Sequence, residues 1–336
     1  VVLCCFEGER WLPALLASIA DQTLLPDELV VCDDGSTDRS VAIVERFAET
    51  APFTVRIERN PERLGSTRNF AHGLSLAHGR VVALADQDDV WYPGKLAVMA
   101  WEFEQDPTIS MVFSDADLMD SSGTPLGRKL WDTRLVGRTL RRHAVVPEDL
   151  FARRALTTGC TMAFRRRVVD AALPFPEELD DPWAPMRHDR WLSLVAAAVG
   201  TVRAIEEPLL AFRVHPNQET GVLVGSQLHR ALARAATRVG RHSNKHEHAG
   251  RAAQLRAAAQ RADLVGDFRE AATLRTVADH QAARAAIGEG NQRASDVVRA
   301  ALAGAYRGDP LSPLAVGADL VRSVLPAVDA PQEPAP

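Results

Sequence analysis

Apolar and polar residues fall in blocks along the first hundred or so positions, and the period switches from block to block. Val1–Cys5 is a short apolar run closed by a Glu-Gly turn, and Trp11–Ala20 follows with amphipathic spacing. Glu28–Cys32 is a second apolar run, ending in Asp33-Asp34-Gly35-Ser36. Ser36 or Asp38 can cap a helix in which Val41, Val44 and Phe47 recur every three residues. Thr54–Ile57 reads as a strand, Ser66–Ala77 as a helix, Arg80–Leu84 as a buried strand. Trp91–Asp106 reads as a helix opened by Pro93, and Ile109–Phe113 as a further strand. Strands alternating with helices of about a dozen residues imply right-handed βαβ units, hence an α/β fold with a mostly parallel sheet. Such sheets bind ligands beyond the carboxyl ends of their strands. The residues just after Cys5, Cys32, Leu84 and Phe113 are therefore the ones to weigh.

Composition narrows the class. With 336 residues, 46% hydrophobic and 25% charged, the chain is longer than one core usually needs and is not of disordered or low-complexity type. Counting 39 Lys+Arg against 44 Asp+Glu gives a net charge of −5, which argues against nucleic acid as a main partner. No run approaches the ~18 apolar residues of a membrane span. Cys4, Cys5, Cys32 and Cys160 form no CxxC pair and read as reduced core residues of a cytoplasmic protein. The chain opens at Val1 already inside an apolar run, so a few residues are expected to precede it.

Charge divides the chain. Residues 1–220 carry 24 Lys+Arg against 33 Asp+Glu, whereas residues 221–336 carry 15 against 11. The expected organisation is an acidic domain over 1–220, a basic, Ala/Arg-rich helical region over 221–325 and a disordered Pro/Ala-rich tail over 326–336. Arg230, Arg234, Arg238, Arg241 and Lys245 recur at three- or four-residue steps. On a helix that is a basic stripe, suited to anionic lipid headgroups or a lipid-diphosphate acceptor, or else a solvated face. The helices expected from Ala249 to Tyr306 should pack on the front domain or on a second copy in a homodimer.

Acids gather at the predicted strand ends: Asp33 and Asp34 after Cys32, then Asp86, Asp88 and Asp89 after Leu84, then Asp115 after Phe113. Converging carboxylates need a cation, and Mg²⁺ or Mn²⁺ takes one or two of them while completing its shell with substrate phosphates. The competing role is helix capping, which suits Asp38 better than the Asp86-Gln87-Asp88-Asp89 cluster. Between the clusters, Gly65 permits a tight loop in which Arg63 and Arg68 meet either phosphate, a base edge or solvent. Asp189 precedes Trp191, Leu192 and Leu194, a helical apolar pattern that it is placed to cap. His242, His246 and His248 sit near Ser243 and Asn244, where a loop is expected rather than a metal centre. Trp183 and Trp191 either stack on sugars or fill the core.

In order, these pieces resemble the family 2 glycosyltransferases, which have the GT-A, nucleotide-diphospho-sugar transferase fold. The resemblance runs through residues 4–12 and Asp27–Asp38, then Leu64-Gly-Ser-Thr-Arg-Asn-Phe70 and Ala85-Asp-Gln-Asp-Asp-Val-Trp-Tyr-Pro-Gly-Lys-Leu96. It continues in Thr158-Gly-Cys-Thr-Met-Ala-Phe164, His188-Asp-Arg-Trp191 and Phe212-Arg-Val-His-Pro-Asn217, covering about two-thirds of the chain. The Asp-Gln-Asp-Asp-Val-Trp and His-Asp-Arg-Trp stretches look most like the bacterial rhamnosyltransferase-type branch.

What the resemblance implies is specific. Asp33 and Asp34 match the pair that holds base and ribose, and Phe6 and Glu7 stand beside the base where the family usually has Tyr-Asn. Arg68 matches a basic nucleotide contact. Asp86 and Asp88, flanking Gln87, match the family's Asp-x-Asp, with Asp88 the direct ligand of the divalent cation and Asp86 and Gln87 beside the donor. Asp189 matches the catalytic base, and His215 a His near diphosphate and metal. The implied activity is inverting sugar transfer from a nucleotide-diphospho-sugar to a glycan or lipid-linked acceptor, at the inner face of the membrane. One carboxylate base without a second carboxylate nucleophile fits single displacement. A sugar-nucleotide nucleotidyltransferase would want a basic Gly-rich loop after the first strand, where Phe6-Glu-Gly-Glu-Arg10 carries two acids. A non-catalytic sugar-binding module would have lost an acid, and none of Asp34, Asp86, Asp88 and Asp189 is missing.

Overall fold

The computed structural model describes residues 1–133, 157–218 except Trp183 and Asn217, and 245–287 except Val265 and Asp267. Expectations for Arg230–Arg241, His242, Trp183 and the tail over 326–336 lie outside these residues.

The parallel half forms as its apolar runs require. Strands β1 (Val2–Cys5), β2 (Glu28–Asp33), β3 (Thr54–Arg59) and β4 (Val81–Asp86) alternate with helices α1 (Leu12–Ala20), α2 (Ser40–Ala48) and α3 (Ser66–Leu76). They pair in parallel in the order β3-β2-β1-β4. The middle two strands are buried along almost their whole length, which is why they read as unbroken apolar runs. Edge strand β3 is half-buried and mixes Arg56, Glu58 and Arg59 with Val55 and Ile57.

Two expectations change in the second half. The helix expected over Trp91–Asp106 begins four residues later: β5 (Val90–Trp91) comes first, then α4 (Lys95–Gln105). Trp91 is 2% exposed and pairs with Leu210, so a distant strand overrides the helical spacing. Buried Gln22 then accepts from the Leu96 N–H (3.0 Å) and donates to the Tyr92 carbonyl (2.8 Å), tying the start of α4 to α1.

The sheet is also mixed rather than mostly parallel. The unit β4–α4–β6 (Ile109–Met119) is a parallel crossover as expected. However, β8 (Met162–Arg165) inserts between its two strands, antiparallel to both. Beyond β6 comes β9 (Thr201–Arg213), parallel to β6 and antiparallel to β5, while β7 (Pro125–Lys129) pairs off the path with β6. A short helix α5 (Leu130–Thr133) follows β7, and α6 (Arg166–Ala172) follows β8.

Helix α7 (His188–Val199) is buried on nearly every face, and Trp191 is core: it is fully enclosed and donates to the Ala172 carbonyl (3.2 Å). What covers its outer side is a helical hairpin, α8 (Lys245–Leu264) and α9 (Phe268–Ile287), whose Ala252, Leu255, Ala259 and Leu274 are buried. The C-terminal helices therefore pack on the front domain of the same chain. The expected loop around His246 and His248 is instead the first turn of α8. His246 faces solvent, and His248 is buried with Nδ1 2.8 Å from Gln281 Oε1, which gives the pair a packing role between the two helices. No helix among the described residues is long and apolar enough to cross a membrane. All four cysteines are buried and free.

Candidate active site

The acids at the strand ends have two different fates. Asp33 and Asp34 turn inward and fold loops. Asp33 Oδ2 accepts from the N–H groups of Gly35 (3.2 Å) and Ser36 (3.0 Å), with Arg59 at 3.7 Å. Asp34 accepts from Asn60 Nδ2 (2.9 Å) and from the N–H groups of Leu64 (2.7 Å) and Gly65 (2.9 Å), which shapes the loop ahead of α3. Removing a buried acceptor that serves three donors leaves each unsatisfied. Asp34→Ala should therefore lose roughly 2–4 kcal/mol of folding stability, read as a lower urea midpoint at unchanged slope.

The loop after β1 is laced to the start of α2. The N–H groups of Glu7, Gly8 and Glu9 donate to Ser36 Oγ, Ser40 Oγ and Asp38 Oδ2 at 2.8–3.0 Å. Asp38 also accepts from the Ser40 N–H (2.9 Å), but the cap position of α2 falls to Arg39, without a side-chain cap bond, rather than to Ser36 or Asp38 as expected. Glu7 is held in the left-handed region (φ 50°), its carboxylate accepting from Thr37 N–H and hydroxyl. Gln87 clamps this loop to the end of β4: its Oε1 accepts from the Phe6 N–H (2.9 Å) and its Nε2 donates to the Phe6 carbonyl (3.0 Å). A Cβ on Gly8 would overlap the Gln87 amide, so only glycine lets the two segments close. The Arg63 guanidinium covers the Phe6 ring at 3.8 Å, making a flat cation–π surface at the cleft edge.

Asp86, Asp88 and Asp89 form the second acidic group, and topology delivers its partners. After β9 pairs with β5, the chain runs back beside the acids. Arg213 donates its N–H to Asp89 Oδ1 (3.0 Å) and its Nε to the Asp88 carbonyl (2.7 Å). Two residues on, His215 Nε2 stands 2.8 Å from Asp88 Oδ2, with its ring 4.2 Å from that of Trp11. Asp86 is pushed up to about 7 by burial and by the facing charges of Asp88 and Asp189, which Arg187 partly offsets. Burial, with Asp88 and Asp86 nearby, pushes Asp89 far up as well. Beneath them lies Lys95, fully buried, donating to the Cys160 carbonyl (2.7 Å) and 4.7 Å from the Trp91 ring. Burial pushes its ammonium down to about 8, against the pull of the Asp89 and Asp86 charges.

A divalent cation fits the outer part of this group. Asp88 and His215 bring a carboxylate oxygen and an imidazole nitrogen together, and Asp86 adds a carboxyl whose proton is readily displaced near neutrality. On the inner side, donor atoms of Asp86, Asp89 and Cys160 lie within 4.8 Å of one another, with the Lys95 ammonium as a built-in counter-charge.

Asp189 is the second residue of α7 rather than its cap, accepting from the Arg190 N–H (2.7 Å) in the turn where the helix dipole favours an anion. It is half-exposed, on the side of the group where its charge reaches Asp86. Arg68 is paired with Asp180 and donates to the Phe175 (2.9 Å) and Pro176 (3.1 Å) carbonyls. Asp115 is also structural, accepting from the Ala116 (2.8 Å) and Trp131 (3.0 Å) N–H groups. Lys95, Arg187 and Arg213 are the members that sequence reasoning did not single out. Lys95 and Arg213 lie inside stretches that carry the resemblance, Ala85–Leu96 and Phe212–Asn217, and that placement was their one hint.

Acids gathered at the ends of β2 and β4, the latter met by the chain returning from β9, suit the GT-A fold expected from the sequence. The structure superposes on residues 1–349 of S. aureus TarS in complex with UDP over 96% of this chain and 88% of that one, with a TM-score of 0.55 and 16% identity. The same enzyme in complex with UDP-GlcNAc gives a TM-score of 0.54 at 17% identity. At such identity the likeness shows a shared fold. The family model for glycosyl transferase family 2 matches residues 1–172, and the chain belongs to that family. An uncharacterized glycosyltransferase of Nostoc sp. is 27% identical over 225 residues, which is 64% of this chain and 64% of the relative, just under two-thirds of the relative's length.

Proposed function

We propose that this glycosyltransferase moves a sugar from a nucleotide-diphospho-sugar to an acceptor hydroxyl by single displacement, with inversion at the anomeric carbon. The observation that carries the reading is the meeting of Asp86, Asp88 and His215, drawn from β4 and from the end of β9, within charge reach of Asp189. Asp88 and His215 would hold a divalent cation, Mg²⁺ or Mn²⁺, with Asp86 beside them. Such an ion, when bound, neutralises charge on the departing diphosphate. Asp189 accepts the proton of the attacking hydroxyl from the face opposite the leaving group. Phe6 and Arg63 offer the base a stacking surface, while Asp33, Asp34 and Gln87 hold the loops around it. Arg68 acts through the segment it grips.

Support for a pyrimidine nucleotide comes from two sides. TarS has been crystallised with UDP and UDP-GlcNAc, and the resemblance to the rhamnosyltransferase-type branch points to a thymidine-diphosphate sugar, with rhamnose the first candidate. The acceptor class that fits is a bacterial surface glycan or its lipid-linked precursor, extended at the inner face of the cell membrane. The basic stripe Arg230–Lys245 would supply peripheral contact there. In this reading residues 1–220 are the catalytic domain and 221–325 a helical region attached to it.

Calorimetry with UDP-glucose, UDP-GlcNAc and thymidine-diphosphate-rhamnose, in Mn²⁺ and in chelator, tests the donor. One of the pyrimidine donors should bind, at least tenfold more tightly with Mn²⁺ than without. A purine sugar nucleotide that binds better than all three would overturn the base assignment.

A further inference from the structure

The stretch that brings the chain from α6 into α7, residues 173–187, contains only one regular element, the 3₁₀ turn Glu177–Asp180. Its last residue nevertheless fixes where α7 starts, and so where Asp189 stands. Two helices grip it from different directions. On the α3 side, Arg68 pairs with Asp180 and donates to the Phe175 and Pro176 carbonyls, and Arg187 Nη2 donates to Ser66 Oγ (3.1 Å). On the other side stands α8. Gln254, 1% exposed, directs its Nε2 at two carbonyls six residues apart, Glu178 (2.9 Å) and Ala184 (2.6 Å). One lies just before and the other within the loop that the Met186 N–H closes onto the Leu179 carbonyl (3.0 Å). One turn earlier in α8, Gly250 lies so close to the Asp181 carboxylate and Ala184 that a Cβ would overlap both. Arg261 completes the contact at the Pro174 carbonyl (2.9 Å).

From this grip we infer that Gln254 is a positioning residue for the transfer step. By holding the Glu178 and Ala184 carbonyls, the C-terminal hairpin sets the loop that presents Asp189 to the acceptor. The inference rests on the reading of Asp189 as general base. One amide NH₂ carries two N–H donors and meets two carbonyls, so the residue type matches the task. A base displaced by about 1 Å loses on the order of 10²-fold in rate. The donor side is built from Phe6, Arg63, Asp86, Asp88 and His215, none of which contacts α8 in the hydrogen bonds and ring contacts described. Loss of the grip should therefore slow transfer and spare donor binding.

The test uses Gln254→Met, which fills the volume without donating, in the full chain. Rate is read as nucleoside diphosphate released from whichever pyrimidine donor binds in the screen above, with water as acceptor. The expected result is a kcat lowered at least tenfold with donor KM and calorimetric Kd within twofold of wild type. Amide hydrogen exchange across Glu178–Arg190 should rise at least tenfold, and that of β1, β2 and β4 should stay unchanged. If Gln254→Met does not fold, Gly250→Ala pushes on the same loop and should give the same split. A folded variant with normal kcat and unchanged exchange overturns the role, as does a parallel loss of donor affinity. Asp189→Asn run alongside separates the two readings. If it is slow while Gln254→Met is normal, only the positioning role fails; if it turns over normally, the base reading fails and takes this role with it.

Discussion

Asp189→Asn should bind its nucleotide-sugar donor as tightly as the wild type and transfer the sugar about 10²–10⁴ times more slowly. The amide keeps the side chain's shape and can still accept from the Arg190 N–H as the carboxylate does at 2.7 Å, so α7 starts where it did. What it cannot do is take a proton from an acceptor hydroxyl. The proposed donor contacts, at the ends of β1 and β4, share no described hydrogen bond with Asp189, whose influence there is the charge that reaches Asp86. A rate loss without an affinity loss separates a base from a binding or folding residue. The product of the wild-type enzyme should carry the anomeric configuration opposite to the donor's. Normal turnover in the variant, or a product that retains configuration, would defeat the mechanism.

In Asp88→Ala, donor affinity in Mn²⁺ should fall to the level the wild type shows in chelator. The carboxylate is the partner of His215 at 2.8 Å, and deleting it removes one of the two proposed ligands that stand together. The loop itself is held by other means, the Arg213 Nε on the Asp88 carbonyl and the Arg213 N–H on Asp89. The thermal midpoint should accordingly move little, which keeps the loss of binding from being a loss of fold. Wild-type donor binding that is indifferent to chelator would sink the cation assignment.

What the sequence disclosed was what neighbouring residues decide. A parallel strand buried on both faces must be an apolar run, and it must end where polar residues begin. The limits of β1, β2 and β4, and the acids following β2 and β4, were legible for that reason. Partners far along the chain were not. Trp91 fits the apolar spacing of the helix after it, and only pairing with Leu210 puts it in a strand. Likewise β8 gives no local sign that it will run between β4 and β6. The resemblance, and no spacing rule, gives Asp34 and Arg68 as nucleotide contacts. Their protein partners, the Leu64 and Gly65 N–H groups for the one and a turn beginning 107 residues away for the other, had no local signal either. The approach of His215 to Asp88, across 127 residues, could be expected from the resemblance and from no spacing rule.

The four enclosed thiols make the folded chain a poor target for alkylation. Burial holds Cys32 up at about 12 and pushes Cys4, Cys5 and Cys160 well up too, so almost no thiolate exists near neutral pH. Reagent must wait for the structure to open. Cys4, Cys5 and Cys32 sit side by side on β1 and β2, so their labelling rate times the opening of the parallel half. Cys160, on the far side of β4 in the turn ahead of β8, times a different region in the same sample. A cysteine placed on the exposed loop at Glu62, one residue from Arg63, would then label alone in the native state. A dye could thus be set beside the Arg63–Phe6 stack proposed to meet the donor base, with every native thiol left in place.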